Sequence, residues 1–170
     1  MSSVPDNSWA DAIRAGGVSL DSRPHSDDEL RLRSALAIRK SGKASSLTVV
    51  RDYQEAIKYE AIYQKMGLDA AAYPEWGMTA CSKVAKIETM DSYGLTPPRE
   101  ATSEIMERTS CDKCESWKSC DDLLRFKRAV SAKHSIMTEQ RVIEMSIHEA
   151  NEGKELLILS KVNSLKIMHS

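Results

Sequence analysis

Apolar positions along the chain recur mostly at three and four residues, a spacing that predicts a succession of helices. The first is expected over residues 7 to 15, capped by Asn7 or Ser8, with Trp9 and Ile13 on one face and Gly16-Gly17 as its stop. A helix that short is marginal alone, so it either docks on the body through Trp9 or folds on a partner. After a linker over 18 to 25, Ser26-Asp27-Asp28-Glu29 reads as a capping box leading into Leu30, Leu32, Leu36 and Ile38, and predicts a helix over 27 to 40. Val50, Tyr53 and Ile57, widened by Val49, Ala56 and Tyr63, predict the next helix over 47 to 66, stopped by Gly67. Tyr53, Tyr59, Tyr63 and Tyr73 offer a base-stacking surface, but tyrosines at this spacing are more often packing residues.

Pro74 and Gly77 break the chain around Trp76, and helices are expected over 79 to 90 and 99 to 108, separated by the turn at Tyr93-Gly94-Leu95-Thr96-Pro97-Pro98. Past Cys120, Asp121 and Asp122 suit a first helical turn, with Leu123, Leu124, Phe126 and Val130 as its apolar face. Ile136, Ile143, Ile147 and Ala150 continue the stripe to Gly153. Leu156-Leu157-Ile158-Leu159 fits a buried strand, but Val162, Leu165 and Met168 favour helix. The fold expected is mainly α: a small helical domain around a four-cysteine site with a C-terminal helical extension. Its parts are an N-terminal helix and linker (1–25), the helical domain with the cysteines (26–130) and the helical extension (131–170), whose apolar end suggests an oligomer contact.

Composition supports this picture, with 41% hydrophobic, 29% charged and only 5% aromatic residues, and 7 glycines. The net charge is −1 and the two signs balance in both halves, so wholesale phosphate binding is not implied. Arg125, Lys127, Arg128 and Lys133 form a cationic group, more often a solvated helix face than a nucleic-acid contact. The start of the chain lacks a charged segment followed by an apolar run, and no stretch approaches the roughly 20 apolar residues of a membrane span. A cytoplasmic protein is expected, and a reducing compartment favours metal or redox use of cysteine over disulfides.

Three of the 4 cysteines fall in ten residues, Cys111-x2-Cys114-x5-Cys120, and Cys81 lies upstream. Two thiolates three residues apart hold one metal ion from a tight turn, and a third comes from the start of a following helix. A [4Fe-4S] cluster needs four thiolates, and the absence of a second paired knuckle favours it over structural zinc. Unliganded thiols are the bland alternative. The fourth ligand is Cys81 or His134. A helix after Cys120, rising about 1.5 Å per residue, would carry His134 roughly 20 Å away, which favours Cys81.

The pattern resembles the WhiB-like iron-sulfur transcription regulators, from Trp76 and Thr79-Ala80-Cys81 through Cys111, Cys114 and Cys120, over about residues 76 to 128. That resemblance implies that the four cysteines are cluster ligands and that the protein acts on transcription. The family's glycine- and tryptophan-rich turn after the last cysteine, and its basic tail, have no counterpart here. The cysteine triplet alone is also similar to that of the fumarate and nitrate reduction type of oxygen sensor.

His25, His134, His148 and His169 are scattered, and no glycine-rich phosphate loop occurs, so no enzyme is expected. The leading expectation is a small intracellular regulatory or binding protein with an iron-sulfur or zinc site and a protein partner. The competing one is a non-metal helical interaction protein, such as an adaptor, a viral accessory factor or an assembly subunit.

Overall fold

The chain builds a four-stranded parallel β-sheet with helices packed on both faces, which overturns the mainly α expectation of a small helical domain with a helical extension. The computed structural model describes residues 8–15, 24–74, 117–145 and 152–161. Helices α1 (Ser8–Ala15) and α2 (Asp27–Ser41) come first, followed by strand β1 (Ser46–Val50), helix α3 (Tyr53–Lys65) and strand β2 (Ala70–Ala72). After a 3-10 turn at Trp117–Ser119 come helix α4 (Asp121–Ser131), strand β3 (His134–Thr138), helix α5 (Glu139–Met145) and strand β4 (Leu157–Ser160). The order across the sheet is β2-β3-β1-β4, with Val50 beside Thr138 on one side and Ser160 on the other.

Local signals explain where the helices start. Ser26 caps α2 by accepting from the Glu29 N–H at 3.2 Å, and Gly42 ends it in the left-handed region at φ 73°. Asp52 caps α3 in the same way, accepting from the Glu55 N–H at 3.0 Å. The helix expected over 47 to 66 therefore divides into β1, a two-residue turn and α3. The stripe expected beyond Cys120 divides likewise: Ile136 lies in β3, Ile143 in α5, and Leu157 to Leu159 in β4. The helices expected over 79 to 90 and 99 to 108 lie outside the described residues.

Strand alternation sends side chains to two separate cores. On one face Val50, Ala70, Ala72 and Ile136 pack against Ala35 and Ile38 of α2 and Tyr53, Ala56, Tyr59 and Tyr63 of α3. On the other, Leu47, Val49 and Met137 pack against Val142 of α5, while Ala71 meets Ala129 and Ala132 at the α4 end. Tyr59 and Tyr63 are core residues meeting edge to face at 5.8 Å, and the Tyr63 hydroxyl shares a buried 2.8 Å hydrogen bond with Thr48. The tyrosines are thus packing residues. Helix α1 docks on α2, with Arg14 donating to the Lys40 carbonyl at 2.7 Å and Trp9 edge-on to His25. Among the described residues no helix is long and apolar enough to cross a membrane.

Candidate functional site

In a parallel sheet every strand ends at the same edge, where the following helix begins, and ligands bind outside that edge where neighbouring connections diverge. Here the divergence falls between β1 and β3. From Val50 the chain turns through Arg51 and Asp52 into α3 on one face. From Thr138 it passes without a loop into α5 on the other, Thr138 Oγ1 accepting from the Arg141 N–H at 3.2 Å.

Helix α4 runs antiparallel to the strands, so its first residues reach the same edge. Phe126, at its midpoint, packs edge to face on Tyr73 just past β2, at 5.6 Å. Arg128, further along, pairs with Asp69 just before β2. Arg125 donates to the Tyr53 hydroxyl at 3.1 Å, joining α4 to the start of α3, and the Arg141 guanidinium lies 5.9 Å from the centre of the Phe126 ring. Burial pushes the Tyr73 phenol up, against the opposing charge of Arg141, so it stays protonated. All four members of the cationic group expected to be a solvated face are exposed, and among them Arg125 and Arg128 also bind Tyr53 and Asp69. Their partners, Tyr53 and Asp69, carry no sequence signal that marks them.

Beside this edge a small cleft opens between α2, α3 and β4, lined by Asp27, Arg51, Glu55, Tyr59, Ser160 and Lys161 among others. Its polar groups satisfy one another. Arg31, buried behind it, donates to Glu55 and Asp28 at 2.5 Å each, Tyr59 and Ser160 share a 2.6 Å hydrogen bond, and Lys161 pairs with Asp27. Lys161 has φ 53°, a left-handed conformation that closes β4 beside the cleft.

Of the four cysteines, the described residues include Cys120, the N-cap of α4, which is half-buried and whose thiol makes no capping hydrogen bond. Cys81, Cys111 and Cys114 lie outside the described residues, between β2 and α4 in the sequence. Among the described residues no group of three or more His, Cys, Asp or Glu side chains is arranged to hold a metal.

His134 begins β3 at the opposite edge of the sheet from Cys120, and the buried Ser46 hydroxyl lies 3.0 Å from its Nδ1. The uninterrupted helix expected between Cys120 and His134 instead ends at Ser131. Its 11 residues still span about 16 Å, so the separation holds for a different reason. Burial lowers the His134 pKa and keeps the ring neutral. A base whose pKa falls on folding contributes stability above its unfolded value of 6.5 and loses it as pH drops toward the folded value. Unfolding midpoints are therefore expected to fall between pH 7 and 5, with His134→Asn showing a flatter slope in that window. An unchanged slope would contradict this assignment.

Compared with protein-family models, curated proteins and solved structures, the chain matches none.

Proposed function

We propose that the protein is an intracellular, cytoplasmic metal-site protein with a regulatory or binding role and no catalytic activity. Cys81, Cys111, Cys114 and Cys120 would hold a [4Fe-4S] cluster or a zinc ion. One topological observation supports this reading: Cys81, Cys111 and Cys114 fall in the sequence between the end of β2 and Cys120, and both of those described ends lie at the edge where parallel sheets bind ligands. The donor set fits either metal, since four thiolates suit both, and the Cys120 sulfur makes no cap bond that a metal would have to displace. A cluster would supply redox and oxygen sensitivity, whereas zinc would supply a static cross-link.

The chain's own residues carry the consequence inward. Fixing Cys120 fixes the first turn of α4, and with it the Arg125 to Tyr53 hydrogen bond and the Phe126 to Tyr73 contact. Metal state would thus bias the start of α3 and the edge a partner meets. That partner is proposed to be a protein. A net charge of −1 lends nucleic-acid binding no support, although transcription is the output that the WhiB-like resemblance implies. Hydrogen exchange tests the coupling: amides 121 to 126 and 53 to 56 should exchange more slowly in metal-loaded than in chelator-stripped protein. Equal rates would refute it.

A further inference from the structure

The two edges of the sheet are finished differently. At the β2 edge, α3 closes the outward backbone groups, as Gln64 donates to the Ala70 carbonyl at 3.0 Å and the Glu60 carboxylate accepts from the Ala72 backbone. That is how proteins keep an edge strand from pairing with another chain. At the β4 edge no described side chain does this. The Leu47 N–H donates to the Leu156 carbonyl at 2.8 Å, so the even-numbered residues of β4 turn their peptide groups toward β1, and Leu157 and Leu159 turn theirs outward. The strand is apolar, contains neither proline nor an internal charge, and leaves Leu159 37% exposed.

We propose that β4 pairs antiparallel with β4 of a second copy of this chain, extending the sheet from four strands to eight across a two-fold axis at Ile158. The stretch Glu155-Leu156-Leu157-Ile158-Leu159-Ser160-Lys161 complements itself about that centre. Leu157 faces Leu159 of the other copy, and because both turn their peptide groups outward, the two such pairs exchange backbone hydrogen bonds. They also add apolar cross-strand contacts on the face that carries Val49 and Met137. Glu155 falls opposite Lys161, twice by symmetry. Both charges have capacity to spare: Glu155 uses one oxygen on the Ala44 N–H, and Lys161 uses one of three ammonium donors on Asp27. The left-handed φ of Lys161 ends the strand and limits the pairing to this stretch. This edge lies across the sheet from β2 and from α4, which Cys120 caps, so the proposal stands apart from the metal reading.

Sedimentation of the full chain from micromolar to millimolar concentration tests the proposal. A monomer–dimer equilibrium is expected. Leu159→Pro removes an outward N–H while sparing the bonds to β1, and should leave a folded monomer by circular dichroism. Should that variant fail to fold, the charge variants decide. Glu155→Lys and Lys161→Glu each place like charges opposite one another at two points and should each weaken self-association about tenfold. The double variant should restore it, as should an equal mixture of the two singles, which forms a heterodimer. The in-chain contacts of Glu155 and Lys161 are lost in the double variant, so restoration reports pairing between copies. A monomer throughout the range, a dimer that survives Leu159→Pro, or singles that match the wild type would each overturn the proposal.

Discussion

Arg31→Ala is expected to cost the fold about 3 kcal/mol, a large share of the roughly 5–15 kcal/mol by which a domain is stable. The Arg31 side chain is 7% exposed and donates at 2.5 Å to Glu55, itself 14% exposed, so its removal strands a mostly buried carboxylate. Lys58, 3.1 Å from the other oxygen of Glu55, remains and holds the cost to the lower end of the range for broken buried pairs. Asp28, the second partner, is 94% exposed, and Asp28→Ala should change stability by less than about 0.5 kcal/mol. Arg31→Met combined with Glu55→Gln should recover more than half of the loss, because the charges then left without these partners, Asp28 and Lys58, are exposed and no buried charge is stranded. Urea unfolding measures all three variants. An Arg31→Ala midpoint close to the wild type would show that this bridge does not join α2 to α3 as described.

The helices were legible in the sequence where a cap or a stop marked them. Ser26 with Glu29, Gly67 and the acids after Cys120 all lie where their elements begin or end. The strands were not legible, for physical reasons. A parallel strand buried on both faces shows no alternation, and all five residues of β1 and of β3 are buried. β2 is Ala-Ala-Ala, small enough to let α4 approach through Ala129 and Ala132 and without any β-branched residue to announce a strand. Turns of two residues or none join β1 to α3 and β3 to α5, so strand and helix positions merged into one apparent helical stripe. The missed signal was Asp52 three residues before Glu55, the same kind of cap as Ser26 before Glu29.

The cysteine pattern could be read directly, but its position could not. Only once the strands are known does it follow that Cys81, Cys111 and Cys114 fall in the sequence between β2 and α4, with Cys120 at the start of α4. The same knowledge separates His134 from Cys120 by the length of α4 and pairs its ring with Ser46.

The four cysteines are therefore expected to act as a unit, and loss of any one should remove most of the bound metal. Three thiolates leave a cluster or a zinc ion with an open position exposed to exchange, and serine is a poor replacement for a soft ligand. His134→Ala should keep the metal and change only stability. The direct measurement is iron, sulfide and zinc content per chain in anaerobically purified protein, for the wild type, Cys81→Ser, Cys120→Ser and His134→Ala. About one cluster, brown and bleached by air, or about one colourless zinc is expected in the wild type and His134→Ala, with little in either cysteine variant. A wild type that remains metal-free after anaerobic reconstitution, or cysteine variants that retain full metal, would contradict a four-cysteine metal site.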